Sequence, residues 1–421
     1  MWVRGALFAL VLGGCYSPSF ETCSLACAAN EACPDGYRCS SGRCALAGST
    51  CSPTIDGGDD AMMDARVFRC GDDMPQTGDV CFDTPIVINT GINTIFDAQL
   101  VDANGDGTLD LGFLATTGYT FRLRDNATFE DENTPGPTFT NTRVFAVGML
   151  DGGNSPELIH DDSSNVKVLS YSSSWNVIAS SESETANAQG IAVGPTKQGG
   201  PDSIAAVYPN RLRVYSFTTN NLTSIVQASN SISFSGGRDV AIANTQGRGF
   251  GEIGVAQTIG VRIYKMSGNT ILLDSMPSTG SADAIVGCNV DGDTDEDFVY
   301  LARAEVGGVP GRVGAVRWTS STYEVPAPQS IPNLLGALAC GDLDGDGRAD
   351  AVVATGGGGA GAFGILVLRG RDDGTFEPPI QFPVDNAVTH LHLGDINGDS
   401  IPDIIATSQL AGVITILLSN P

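Results

Sequence analysis

Between residues 334 and 384 the chain alternates short apolar runs with tight turns: LGALACGD, ADAVVAT, FGILVLRG and PPIQFPV, separated by Gly-rich stretches. Each run is strand-length and rich in β-branched residues, so the pattern predicts four consecutive antiparallel strands. The same arrangement recurs along the chain. An alternating apolar run leads into a nine-residue polar loop, and a β-type run such as AVVAT or IIATS follows it. Four loops match at once: DANGDGTLD at Asp102, NVDGDTDED at Asn289, DLDGDGRAD at Asp342 and DINGDSIPD at Asp395. The gap between the first two holds three degenerate copies, beginning at Asp151, Gly194 and Asn244. The seven starts are 43 to 53 residues apart, room for one four-stranded sheet each. Seven such repeats predict an all-β, seven-bladed β-propeller.

The four complete loops place oxygen-bearing side chains at positions 1, 3, 5 and 9. They are Asp102, Asn104, Asp106 and Asp110; Asn289, Asp291, Asp293 and Asp297; Asp342, Asp344, Asp346 and Asp350; and Asp395, Asn397, Asp399 and Asp403. Carboxylates held that closely repel one another unless a divalent cation offsets them, and a flexible oxygen-rich loop suits calcium better than the strict octahedron of magnesium. About four calcium ions are therefore expected. The second site is expected to be the weakest, with Asn289 at position 1 and Thr294 where glycine is usual. An EF-hand needs a bidentate glutamate at position 12, whereas Phe113, Tyr300, Val353 and Ala406 stand there and strands rather than helices follow. The loop at Asp151 reads as shortened by two residues. The loops at Gly194 and Asn244 keep Gly199 and Gly249 at position 6 and an acid, Asp202 or Glu252, at position 9. At position 5 they carry Gln198 and Arg248, so no calcium is expected in either, and Arg248 is placed to pair with Glu252.

Only 26 residues follow Asp395, enough for three strands, while Phe82 to Gly91 (FDTPIVINTG) aligns with Phe376 to Asp385 (FEPPIQFPVD). The N-terminal segment is expected to supply the missing strand and close the ring without an exposed edge.

Residues 84–421 resemble the FG-GAP repeats of the integrin α-subunit propeller and of many bacterial surface proteins. The resemblance implies calcium as a structural ion, a backbone carbonyl ligand at position 7, and a role in binding a protein or glycan partner.

Charge narrows the partners: 48 acidic against 22 basic residues give a formal net charge of -26. Nucleic acid and anionic membrane surfaces are thereby excluded as partners of a basic patch. The N-terminus combines Arg4 with a short apolar run to Leu12, too short to span a bilayer. Leu12-Gly13-Gly14-Cys15 resembles the lipobox of bacterial lipoproteins, which implies removal of residues 1–14, acylation of Cys15 and, with Tyr16 following, outer-membrane or cell-surface localisation. Cys23, Cys27, Cys33, Cys39, Cys44 and Cys51 then crowd residues 15–51, the density of a disulfide-stapled module; no histidine is present there to favour zinc. Six cysteines allow 15 pairings. Residues 52–83 read as an acidic linker clipped at its end by Cys70 and Cys81, and Cys288 with Cys340 completes an even count.

No catalytic constellation is evident. The three histidines are His160, alone, and His390 and His392, spaced as one face of a strand. Gly356, Gly358 and Gly361 have a nucleotide-loop spacing but precede a strand rather than a helix. The sequence thus predicts a monomeric, non-catalytic, lipid-anchored and calcium-stabilised surface propeller. The alternative is a calcium-dependent lyase or hydrolase acting on polysaccharide.

Overall fold

The computed structural model describes residues 37–40, 43–46, 79–104, 106–116, 118–125, 128–129, 134–138, 142, 144–150, 156–162, 165–171, 174–218, 221–224, 234–304, 310–356 and 363–419. The chain divides into two compact units, residues 1–66 and 67–421. In the first, Tyr37–Ser40 and Arg43–Leu46 form a hairpin whose register sets Cys39 opposite Cys44. Cys15, Cys23, Cys27, Cys33, Cys51 and Cys70 lie outside the described residues.

The second unit is a seven-bladed, all-β propeller. Blade six shows the plan: Leu334–Gly341, Asp350–Thr355, Phe363–Leu368 and Ile380–Val384 pair in chain order, each antiparallel to the last. Blades two, three and four follow the same order. In blade five the third strand, Gly311–Trp318, pairs with both Tyr323–Glu324 and Gln329–Ile331, which accommodates the longer repeat. The second strand of each blade is sandwiched on both faces, so EIGVAQ and DFVYLA are buried along their whole length. Among the described residues seven apolar clusters form the core, one between each consecutive pair of blades; Phe113 of blade one shares its cluster with Ile405 and Ile416 of blade seven, and Ile263 of blade four shares another with Phe298 of blade five. Burial of each such large side chain contributes about 1.5–3 kcal/mol.

Closure occurs where the sequence places it. Ile86–Asn89 pairs antiparallel with Val413–Leu417, Ile88 opposite Ile414. Phe82 bridges Ser419 just as Phe376 bridges Gly370 in blade six. Val80 and Phe82, ahead of the expected boundary at residue 84, are already buried in the core between blades six and seven. Cys288 and Cys340, at the ends of the first strands of blades five and six, are joined by a disulfide. Cys81 is also disulfide-bonded. Among the described residues no helix is long and apolar enough to cross a membrane.

Candidate functional site

Each repeat loop joins the innermost strand of a blade to its second strand, and position 9 is the first residue of that second strand. Asp350 shows why an acid suits it: Oδ2 accepts the Leu343 N–H at 3.0 Å and Oδ1 the Gly370 N–H at 3.1 Å, tying the loop to its start and to the end of the third strand. Asp110 and Asp403 repeat the arrangement. Positions 1, 3 and 5 fold the turn through the same chemistry: in blade six the Asp346 N–H donates to Asp342 and Asp344, and the Gly347 N–H to Asp342 at 2.8 Å. Position 6 turns back through the left-handed region, with Gly347 at φ 88° and Ser400 at 75°.

The seven-residue link from position 2 to position 9 also fixes the degenerate loops. Leu150 N–H donates to Glu157, and the Thr196 and Ser203 hydroxyls bond at 2.8 Å. The second loop therefore starts at Met149 and is full length rather than shortened, and the third starts at Pro195 rather than Gly194. Gln198 and Gly199 consequently stand at positions 4 and 5, and Ser203, not Asp202, is at position 9. Asp151 lies outside the described residues. In the fourth loop Arg248 is paired with Glu252 inside the turn.

The sixth loop fits a divalent cation. Asp342, Asp344 and Asp350 each offer an oxygen within 4.8 Å of the others, a spacing one ion with ligand distances of about 2.3–2.6 Å can bridge. Their charge is poorly offset by the protein: burial first, then Asp344, pushes Asp350 up to about 8, and burial first, then Asp346, pushes Asp344 up to about 6. Asp297 in the fifth loop is raised to about 7 by burial and then by Asp291. Arginines draw some of this charge from the rim, Arg317 reaching Asp291 at 3.4 Å and Arg348 pairing with Asp346.

The seven innermost strands enclose a channel of about 780 Å³. Its charged residues gather where those strands begin, opposite the loops. His392 Nε2 lies 2.8 Å from Asp97 Oδ1, and Gln99 Nε2 donates to the Phe145 carbonyl at 3.4 Å. Asp283 is held between Arg238 and Arg303, the latter at 3.0 Å. Asp97 and Asp239 sit on irregular steps of the strand register, where one oxygen of each accepts its successor's N–H, from Ala98 at 2.8 Å and Val240 at 2.9 Å. Burial opposes ionisation of Asp97, but His392 and His390 outweigh it and hold the carboxyl below its usual value. Burial raises Asp239 to about 7, and Asp97 adds to the effect.

Composition and spacing passed over this cluster. A usable signal was present, because Asp97, Asp239 and His390 each stand five residues before loop position 1 of their own blade. His390 and His392 do share one face of their strand, the face lining the channel.

Residues 342–406 match the family model of the FG-GAP-like repeat. That segment runs from the sixth loop into the second strand of blade seven. No curated protein shows significant sequence similarity to the chain. Two crystal structures of BBS1N in complex with ARL6DN, one soaked with lead and one with mercury, are similar in fold. Each superposes with a TM-score of 0.57 at 12% identity, over 81% of this chain and 97% of that one.

Proposed function

We propose that the protein is a non-catalytic binding propeller of the bacterial cell surface, anchored through an acylated Cys15 and stabilised by calcium, that holds a protein or glycan partner on the face opposite its acidic loops. The observation that carries this reading is the division of labour between the two faces. One face carries the loops whose carboxylates sit within 4.8 Å of one another in blade six. The other opens into the lined channel. The FG-GAP-like match in residues 342–406 supports an interaction role, and the BBS1N propeller, similar in fold, was crystallised in complex with ARL6DN.

Calcium would be held by the side chains at positions 1, 3, 5 and 9 of the loops at Asp102, Asn289, Asp342 and Asp395, where it supplies the positive charge that the loops lack. The protein's own share is to hold those oxygens together through the backbone N–H groups already described. Detergent-phase partition tests the anchor: the wild-type chain should enter the detergent phase and the Cys15→Ala chain the aqueous phase, and equal partition would refute acylation.

A second reading is a calcium-dependent enzyme acting on polysaccharide. It draws on Asp97 and Asp239, two channel carboxyls whose surroundings drive their ionisation in opposite directions, as acid–base pairs require. Incubation of the calcium-loaded protein with acidic and neutral polysaccharides separates the readings: new reducing or unsaturated ends support the enzyme, unchanged polymer the binding protein.

A further inference from the structure

We infer that the channel mouth opposite the acidic loops is a binding site for the terminal sugars of an uncharged glycan. The inference rests on the binding-propeller reading above and supplies its ligand class.

Packing alone does not explain the residues found there. Five residues before each loop, blades two, three, five and six carry Val144, Gly190, Ala284 and Ala337, small or apolar side chains that satisfy a propeller hub. Blades one, four and seven carry Asp97, Asp239 and His390 at the same position, and charge at a partly buried site costs stability unless something else is gained. The small neighbours leave the space open. A volume of about 780 Å³ falls in the range of pockets that bury a small ligand.

The charges select among ligands. Three carboxylates, Asp97, Asp239 and Asp283, are set against two guanidinium groups, Arg238 and Arg303. An anion meets the first set and a strong cation the second. A coordinated metal is disfavoured too, because Asp97 is already engaged by His392 and Asp283 by Arg238 and Arg303. A hydroxyl both donates and accepts, so a polyhydroxylated neutral ligand satisfies both kinds of partner. The acceptors are fixed in advance: backbone N–H groups hold Asp97 and Asp239, the latter also through Ile285 at 3.0 Å, and each carboxylate keeps free lone pairs.

The chain holds three histidines, which makes the site readable by proton NMR. Maltotriose, cellotriose and chitotriose serve as neutral probes, with oligogalacturonate and oligochitosan as charged ones, added to the full calcium-loaded chain. At least one neutral probe should shift the ring signals of His390 and His392 and leave those of His160, buried in blade two, unmoved. Calorimetric affinity for that probe should fall about tenfold in Asp239→Asn and in Asp97→Asn, the loss of a hydrogen bond to a charged acceptor, and stay unchanged in Leu273→Ala on the outer strand of blade four. Absence of any neutral binding, or binding of the charged probes alone, overturns the inference. Glycan binding that leaves the His390 and His392 signals unmoved also overturns the channel site, while the surface-binding reading stands. New reducing or unsaturated ends in the bound sample would keep the site and overturn the non-catalytic reading. The wild-type NMR arm decides the question even where a variant fails to fold.

Discussion

Arg248 and Glu252 form an ion pair inside the fourth loop, at the two positions where the sixth loop carries Asp346 and Asp350. The guanidinium also lies over the Phe250 ring, 4.7 Å from its centre. Glu252 is fully buried and Arg248 is 37% exposed, so the pair works as a fixed internal cation for a carboxylate that cannot reach water. Arg248→Met should leave that carboxylate uncompensated and cost about 1–2 kcal/mol, below the usual loss for a broken buried pair because the arginine is screened by solvent. Urea unfolding should show the loss equally with and without chelator. A chelator-dependent difference would mean that this loop takes a metal.

The complementary prediction concerns Asp344. Asp344→Ala should remove one of about four bound calcium ions, whereas Lys197→Ala, in a loop with no acid at positions 1, 3, 5 or 9, should remove none. With calcium at one to ten times its dissociation constant, each occupied site contributes about 0.4–1.4 kcal/mol. Calorimetric titration counts the ions, and a stoichiometry of seven or of zero would defeat the ligand-by-ligand assignment.

The acidic loops were legible because oxygen-bearing residues at fixed odd spacing are rare outside a common geometry, and four copies reinforce one another. The starts of the second and third loops were not. Their register is held by the link from position 2 to position 9, made in blade three by the hydroxyls of Thr196 and Ser203 and in blade two by Leu150 and Glu157, so counting acids from Gly194 or Asp151 slid the frame. The channel was hidden for a different reason. Asp97 and Gln99 interrupt one largely apolar strand and Arg238 and Asp239 another, and one or two polar residues in such a run read as the solvent face of an edge strand until the ring brings seven such strands together.

Asp239 makes stability depend on pH. Its folded value of about 7 exceeds the ordinary 3.8, so the folded chain holds the proton more tightly. The contribution is complete below the ordinary value and is lost as pH rises to about 7, while Asp97, held low, acts in the opposite sense at acid pH. Between pH 5 and 7.5 Asp239 should cost about 2–3 kcal/mol, and Asp239→Asn should remove that slope. The check is the urea midpoint of both chains at the two pH values; parallel slopes would show that Asp239 ionises freely in the fold.

Ser400 occupies position 6 of the seventh loop at φ 75°, where the sixth loop has Gly347 at 88°. A side chain in the left-handed region is strained, and glycine relieves the strain at some entropic cost to the folded state. Ser400→Gly should raise stability by about 0.5–1 kcal/mol, read as a higher melting temperature at fixed calcium. A lower melting temperature would indicate that the hydroxyl contributes more to the loop than the strain takes away.

The closure of the ring rests on Phe82. Its ring meets Phe382 edge-on at 4.8 Å, and it is 3% exposed although it precedes the first strand of the propeller. Phe376 holds the equivalent place in blade six and is 5% exposed. If the N-terminal segment is a structural member of blade seven rather than a passing linker, the two residues should be about equally important. Phe82→Ala and Phe376→Ala should each cost about 3–5 kcal/mol, the usual loss for emptying a buried phenylalanine site. They should differ in what is exposed. Loss of Phe82 loosens Ile86–Asn89 from Val413–Leu417 and uncovers an unpaired strand edge, so limited proteolysis should cut between residues 79 and 91 before anywhere else in the propeller. A small loss of stability, or first cleavage elsewhere in the ring, would show that the seventh blade is held closed without it.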